Sequence, residues 1–193
     1  MVLKQTDILF EKNSIERTVG SINDSDSENK RIVLQDKHRC HNLADLVNIA
    51  QMYYSYLVDK GFKFTEEGYP IFEKEMFLDE WPDIVIPFGN RNSRFVKNKK
   101  KTVLCHFSKD KYIYPRLANL FNEIDIYREF LGIISSDITV TSDMDIEWQR
   151  FIILINELYL AVLAANGIKV ILSTRCGSPE TIQCFEGVPR GVM

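Results

Sequence analysis

The order of structural elements is clearest in residues 131–190, LGIISSDITVTSDMDIEWQRFIILINELYLAVLAANGIKVILSTRCGSPETIQCFEGVPR. The run LGIISSDITV is β-rich and leads into an almost wholly apolar helical stretch, DMDIEWQRFIILINELYLAVLAAN, which ends at Gly167. A second buried strand, IKVILS, follows, and after it come a loop, TRCG, and a short helix, SPETIQCFEGVP. Strand, helix and strand in this order predict a βαβ unit with a parallel pair of strands.

Further strands and helices precede this unit. The helical spacing of apolar residues in NLADLVNIAQMYYSYLVDKG predicts a helix that is capped by Asn42 and closed by Gly61. Another helix is predicted to begin with Pro115 in its first turn. The predicted strands cover residues 83–88, 102–107, 132–140 and 168–173. The expected fold is therefore α/β, a small and mostly parallel sheet flanked by helices.

Residues 1–40 are expected to form a β-containing extension to a single α/β domain over residues 41–193. Two short β-type runs, DILF at 7–10 and RIVLQ at 31–35, flank the polar segment SINDSDSENK. The two runs could pair with each other as a hairpin, or each could add to a sheet elsewhere. The sequence leaves both arrangements open.

The composition is that of a globular chain with a sizeable core. With 193 residues, 45% of them hydrophobic, the chain needs no disulfide or metal to fold. A net charge of −3 excludes a surface that is basic overall, so a nucleic-acid partner would need a local patch. Neither a signal peptide nor a membrane span is recognisable, which predicts a soluble, cytoplasmic protein. Its four cysteines are expected to be free thiols.

The segment GNRNSRFVKNKKK has the strongest functional signal in the chain. Six positive charges fall within eleven residues that contain no acid, and this local field could bind phosphates or an acidic protein surface. A solvated connection, or lysines that protect a sheet edge, would explain the same residues. The predicted nucleic-acid-binding residues are Arg91, Arg94, Lys97, Lys99, Lys100 and Lys101.

Ligands of parallel α/β sheets bind beyond the carboxyl ends of the strands. The polar residues predicted there are Asn90, Arg91, His106, Ser108, Asp110, Ser136, Asp137, Thr174, Arg175 and Cys176. If the protein is a nuclease, Asp137 and Asp143 could hold Mg²⁺, His106 could act as a general base, and Arg175 could clamp a phosphate. Polar residues also end strands because loops are solvated. No other cofactor is expected.

The three histidines allow one further arrangement. His38, Cys40 and His41 form one group, and Cys105 and His106 form another. If the two groups met in space, their imidazole and thiolate ligands could hold a tetrahedral zinc ion. Because the spacing matches no zinc finger or ribbon, no metal site is predicted.

The motifs PDIVIPF, GIISSDITVTSDM, NGIKVILSTRCG and FEGVPRG, in this order, resemble those of an uncharacterised family labelled domain of unknown function 4417. The resemblance covers residues 81–191 and is most specific at Ser136 and Asp137, at Asp143 and Met144, and over residues 166–177. It implies a setting in phages and mobile elements of Gram-positive bacteria and their hosts, and it implies no activity. Members tend to have Trp where this chain has Cys176, and more polar and basic residues along the long helix. These departures favour a binding or inhibitory role.

Three functions are compatible with these observations. The leading hypothesis is a phage or mobile-element accessory protein that binds nucleic acid or a host nucleoprotein, and inhibits a host defence system in the manner of an anti-CRISPR protein. Its partner would then be a CRISPR effector with its guide RNA. The alternatives are a metal-dependent nuclease or phosphoesterase and a protein-binding module with an acidic partner.

Overall fold

The structure is a computed structural model that describes residues 43–192. Four strands form one sheet in the order in which they occur along the chain, and every neighbouring pair is parallel. They are β1 (Ile84–Pro87), β2 (Thr102–Cys105), β3 (Gly132–Ile134) and β4 (Val170–Ile171). The predicted α/β class is therefore confirmed. The β-type runs of the first 40 residues, and the cap at Asn42, lie outside the described residues.

The strands are shorter than the sequence predicts, above all β3, which was expected to extend to residue 140. Pairing of β3 with β4 ends at Ser135, whose N–H donates to the Ile171 carbonyl at 2.9 Å. The Ser136 hydroxyl then donates to the Asn156 side chain at 2.7 Å, so the chain leaves the sheet there. The polar residues that follow β3 therefore line the carboxyl edge of the sheet and are not paired within it.

Within residues 43–192, four α-helices accompany the sheet: α1 (Leu43–Asp59), α2 (Asp110–Ala118), α3 (Leu120–Arg128) and α4 (Ile146–Ala165). The helix that was expected to start at Pro115 begins at Asp110 and is two helices that meet at Asn119. Placing Pro115 in the first turn was wrong, since it is the sixth residue of α2. The side-chain amide of Asn119 donates to the Pro115 carbonyl at 2.7 Å and so satisfies an acceptor at the end of α2.

The long apolar helix α4 forms the centre of the domain. Its amino end is capped by the Asp145 carboxylate, which accepts from two backbone N–H groups of the first turn. After its carboxyl end comes Gly167 with φ of +76°, a conformation that glycine adopts without strain. α4 is long and apolar enough to cross a membrane. However, 72% of its most apolar 18-residue stretch is buried inside the domain, as in the core helix of a globular domain.

The main core lies between the sheet and its helices. Tyr127 of α3 and Tyr159 of α4 both contact the His106 side chain, which places the two helices on the same face of the sheet. α1 packs against α4, and its completely buried Tyr53 lies edge-on to Phe121 of α3. Aromatic rings of this size dominate core energetics, because each removes about 150–250 Å² from water.

The segment after β4 returns to α4 as a short 3-10 helix, Pro179–Phe185. Gln149 of α4 fixes its start by accepting from the Ser178 N–H at 2.7 Å and by donating to the Ser178 hydroxyl at 3.0 Å. Gly187 then passes so close to residue 70 that a Cβ there would lie 2.1 Å from the Pro70 carbonyl oxygen. The carboxyl-terminal segment is thus packed tightly onto the domain.

Candidate nucleic-acid interface

Two of the four proposed catalytic residues meet at the carboxyl edge of the sheet. Asp137 follows β3 and Arg175 follows β4, and the Arg175 Nε lies 2.8 Å from Oδ1 of Asp137. Burial raises the pKa of Asp137, Arg175 opposes this rise, and the nearby carboxylate of Asp110 adds to it. The arginine is half-exposed and acts as the counter-ion of a nearly buried carboxylate.

Asp143 is not part of this ion pair. It is exposed in the turn before α4, and a hydrogen bond with the Thr141 side chain lowers its pKa. Within residues 43–192, no group of three or more His, Cys, Asp or Glu side chains is arranged to hold a metal ion. The described chain therefore does not assemble Asp137 and Asp143 with a further ligand of this kind.

His106 is buried at the end of β2 and belongs to a chain of hydrogen bonds. Tyr159 donates to the Tyr127 hydroxyl at 2.9 Å, and Tyr127 donates to the Glu123 carboxylate at 3.1 Å. Because the Tyr159 proton is used in this way, its oxygen accepts from Nε2–H of His106 at 2.8 Å. Burial, with Arg116 as a secondary cause, lowers the pKa of His106 to about 3, so the ring is neutral at ordinary pH. A ring held in this state serves the core as a hydrogen-bond donor, and its Nε2 is not free to act as a base.

The chain of hydrogen bonds reaches the surface through an ion pair. Arg116 of α2 binds Glu123, whose pKa is raised by burial against the opposing effect of that arginine. The Arg116 guanidinium also lies 5.1 Å from the centre of the Phe88 ring. The Arg91 guanidinium lies 4.4 Å from the same ring centre, so two arginines share one aromatic ring just after β1.

The remaining strand-end residues have structural partners or are exposed. The Asp110 carboxylate accepts from the backbone N–H and the hydroxyl of Thr139, at 3.3 and 3.0 Å. Ser108 donates to the His106 carbonyl at 3.4 Å. Asn90, Thr174 and Cys176 are exposed.

The basic segment does not form a single patch. It crosses from the carboxyl end of β1 back to the amino end of β2, so its first and last residues lie at opposite edges of the sheet. Its last three residues form a 3-10 helix, Lys99–Lys101, that meets acids or carbonyls of the domain. Lys99 binds Glu129, Lys101 binds Glu80 at 2.6 Å, and Lys100 donates to the Arg128 carbonyl at 2.7 Å. Two of these three charges are thus cancelled locally.

The first part of the basic segment has a different character. Arg91 and Arg94 each lie over a phenylalanine ring, and Arg94 is 5.4 Å from the centre of the Phe95 ring. Phe95 itself is 61% exposed. Lys97 is exposed two residues further on. The residues that leave β1 therefore combine cations with aromatic rings, of which Phe95 is exposed and Phe88 is buried.

The segment that leaves β2 repeats this pattern and was missed from the sequence. Phe107 is 52% and Tyr112 is 59% exposed, and the Lys111 ammonium lies 4.9 Å from the centre of the Tyr112 ring. The sequence signal for this surface was the run FSKDKY, which directly follows a predicted strand. The run has two aromatic and two basic residues around a single acid. Because β1 and β2 are neighbours, the two segments begin about 4.8 Å apart at the carboxyl edge of the sheet, and the first one then runs back toward the amino edge. We call the following residues the aromatic–basic surface: Arg91, Arg94, Phe95, Lys97, Phe107, Lys109, Lys111 and Tyr112.

The sequence matches the family described as Domain of unknown function (DUF4417) over residues 68–193. The chain belongs to this family. The matched region contains all four strands and α2, α3 and α4, whereas α1 precedes it. The whole aromatic–basic surface and the Asp137–Arg175 ion pair therefore lie in the DUF4417 part of the chain.

No curated protein and no solved structure matches the chain. Family membership gives this DUF4417 domain no activity, so a function has to be argued from the side chains themselves. Of the residues singled out from the sequence, His106 is buried and Asp137 is ion-paired, whereas the side chains of the aromatic–basic surface are mostly open to a ligand.

Proposed function

We propose that this DUF4417 protein binds single-stranded nucleic acid through the aromatic–basic surface. The observation that carries the proposal is the pairing of cations with exposed aromatic rings on the two segments that leave β1 and β2. Proteins that bind single strands combine a basic path for the backbone with aromatic faces on which successive bases stack. Five cations and one acid, Asp110, lie within residues 88–97 and 107–112, in a chain with a net charge of −3.

Single strands fit this surface better than duplexes because the aromatic faces need unpaired bases. In a duplex, the bases are stacked on one another and only their edges are reachable. Phe95, Phe107 and Tyr112 are each more than half exposed, and burial against a base would recover this apolar area. Stacking on one such ring contributes about 1–3 kcal/mol per base. The surface is thus expected to bind with little sequence preference.

The Lys99–Lys101 helix has no part in the proposed interface. Exposed ion pairs are weak, so Glu129 and Glu80 do not lock their lysines in place. They do cancel the local field, however, and a phosphate placed there would meet two carboxylates as well as three ammonium groups. This distinction separates the proposal from a general attraction of polyanions to lysine.

Binding is tested by fluorescence anisotropy with end-labelled single-stranded RNA, single-stranded DNA and duplex DNA of equal length. The variant with Phe95→Ala, Phe107→Ala and Tyr112→Ala is expected to lose at least tenfold in affinity for single strands. The matched control is Trp81→Ala, because Trp81 is 82% exposed but precedes β1 and lies outside the surface. Equal affinity of the wild type and the triple variant, or tighter binding of the duplex, would contradict the proposal.

The same reactions on denaturing gels, with and without Mg²⁺, distinguish binding from cleavage. Binding without cleavage is expected. Cleavage that EDTA abolishes and Asp137→Ala removes would instead support a metal-dependent nuclease. If no nucleic acid binds at any salt concentration, the aromatic–basic surface would be left for an acidic protein partner.

Inhibition of a host defence nucleoprotein is the wider form of the proposal and rests on the same surface. A protein that covers single-stranded guide RNA or the displaced DNA strand would block target pairing. The direct test adds the wild-type protein or the triple aromatic variant to a guide-loaded CRISPR effector and measures target cleavage. Inhibition by the wild type alone is expected, and equal inhibition by both proteins would assign the effect to another surface.

A further inference from the structure

The carboxyl edge of the sheet continues beyond the two strands that lead into the aromatic–basic surface. All neighbouring strands are parallel, and β3 and β4 follow β1 and β2 in the sheet. The segments that leave β3 and β4 therefore start at the same edge, which is where ligands of parallel α/β sheets bind. A nucleic-acid strand on the aromatic–basic surface has the side chains of these two segments next to it.

Direct contacts connect the start of α2 with the segments after β3 and β4. Asp110, which stands between two lysines of the aromatic–basic surface, accepts from the backbone N–H and the hydroxyl of Thr139. Asp137, two residues before Thr139, pairs with Arg175 after β4. The exits of β2 and β4 are two strand spacings apart, about 10 Å. Arg175 is thus a close neighbour of the surface along the carboxyl edge.

The Arg175 guanidinium has hydrogen-bond donors that its ion pair does not use. It carries five N–H groups in a planar fork, and a single carboxylate accepts from two of them in a bidentate pair. Nε of Arg175 lies 2.8 Å from Asp137, and residues 43–192 offer this arginine no second acceptor. The side chain is 44% exposed. At least three N–H donors therefore remain for a ligand, and their fork matches the oxygens of a phosphate.

This ion pair differs from those of the lysine run in the exposure of its acid. The Asp137 side chain is 10% exposed, whereas the acids that pair with the lysines, Glu129 and Glu80, are 52% and 48% exposed. A phosphate at the lysine run would meet carboxylates that face solvent. A phosphate at Arg175 would meet the guanidinium, with the carboxylate behind it. The carboxylate also holds the guanidinium in place, which lowers the entropy that binding costs.

We infer that a bound single strand continues across the carboxyl edge of the sheet, and that the Arg175 guanidinium binds one of its backbone phosphates. The inference rests on the proposed function and extends it, since Arg175 is not one of the residues of the aromatic–basic surface. It gives the Asp137–Arg175 ion pair a part in binding, in place of the catalytic roles expected from the sequence.

The salt dependence of binding to single-stranded RNA tests the inference. Arg175→Gln is expected to lose about tenfold in affinity at low salt, and about 0.7 in the slope of log K against log salt, because one phosphate contact is lost. Arg175→Lys keeps the charge and is expected to keep the slope. The matched control is Arg128→Gln, since Arg128 is another half-exposed arginine that pairs with an aspartate, and its carbonyl accepts from Lys100 of the lysine run. This control is expected to leave affinity and slope unchanged.

A second variant covers the case in which Arg175→Gln fails to fold, since it leaves Asp137 without its counter-ion. The double variant Asp137→Asn and Arg175→Gln replaces the ion pair by two amides, and it is expected to lose the same slope. Slow alkylation of Cys184, which is completely buried in the main core, reports that a variant is folded. A wild-type slope in the folded double variant would overturn the inference.

Alkylation of Cys176 gives a readout that needs no substitution. Cys176 is exposed and directly follows Arg175, whereas Cys105 and Cys184 are buried. Saturating single-stranded RNA is expected to slow alkylation of Cys176 severalfold, as measured by peptide mass spectrometry. An unchanged rate at Cys176 with RNA bound would overturn the inference and leave the proposed function standing. If the wild type bound no single strand at all, the proposed function would fail and the inference with it.

Discussion

Glu157 allows a quantitative test of the packing around α4. Its side chain is 1% exposed, and neither carboxylate oxygen has a hydrogen-bond partner among the described residues. Arg150, two turns earlier on the same helix, binds Glu147 at 2.7 Å instead. Burial alone raises the pKa of Glu157 well above its ordinary value, so the carboxyl group is neutral when the domain folds.

The sign of the pH dependence follows from this shift. Below the unfolded pKa of about 4.3, Glu157 is protonated in both the folded and the unfolded state, and its ionisation costs no stability. Between that value and the raised folded pKa, unfolding releases a proton, and the free energy of unfolding falls by about 1.4 kcal/mol for each pH unit. Glu157→Gln removes this proton release. The variant is therefore expected to match the wild type near pH 4 and to exceed it by an amount that grows with pH.

Urea unfolding followed by circular dichroism from pH 4 to pH 8 measures this difference. Glu157→Met, which also removes the unpaired polar atoms, is expected to add about 1–3 kcal/mol at the low end of this range. Glu147→Gln is the matched control on the same helix, since its side chain is 68% exposed, and its effect is expected to be small. Parallel pH profiles for the wild type and Glu157→Gln would contradict a raised pKa of Glu157 in the folded state.

Three further substitutions test other contacts of the domain. Tyr159→Phe removes the hydroxyl that lies 2.8 Å from Nε2 of His106 and leaves that buried N–H only the Tyr127 hydroxyl at 3.3 Å, which is expected to cost about 0.5–1.5 kcal/mol in chemical unfolding. Gly187→Ala places a Cβ 2.1 Å from the Pro70 carbonyl oxygen, and the overpacking is expected to cost about 1–3 kcal/mol and to speed amide exchange in the carboxyl-terminal segment. Asp145→Ala removes the cap of α4 and is expected to cost about 0.5–2 kcal/mol, whereas Asp145→Asn restores most of it. An unchanged unfolding midpoint in any of the three variants would show that the contact it removes or disturbs does not contribute to stability.

The elements of the fold were predictable wherever the signal is local. Apolar runs such as PDIVIPF and IKVILS identify strands, and the order strand, helix, strand gives the parallel sheet. The break at Asn119 was not predictable, because Leu117, Leu120 and Ile124 continue one apolar stripe across it. The end of β3 was equally hidden, since the hydrogen bond of Ser136 to Asn156 joins residues twenty positions apart.

The candidate site was predictable only in part, because long-range contacts decide which of its residues are exposed and which are paired or buried. The six charges of the basic segment are equivalent in the sequence. In the fold, Arg91 and Lys101 lie at opposite edges of the sheet, and Lys101 forms an ion pair with Glu80. His106 was assigned as a base from its position after a strand. The two tyrosines that bury it come from helices 21 and 53 residues further along the chain.

In the proposed complex, the cations of the aromatic–basic surface contact phosphates, and the lysine run before β2 does not. The most direct test is the salt dependence of binding to single-stranded RNA, measured for two variants that each lose three charges. One has Arg94→Gln, Lys109→Gln and Lys111→Gln, and the other has Lys99→Gln, Lys100→Gln and Lys101→Gln. Each lost phosphate contact reduces the slope of log K against log salt by about 0.7, so the first variant is expected to lose about 2 in slope and the second almost nothing. Equal losses in both variants, or a larger loss in the lysine-run variant, would contradict the account.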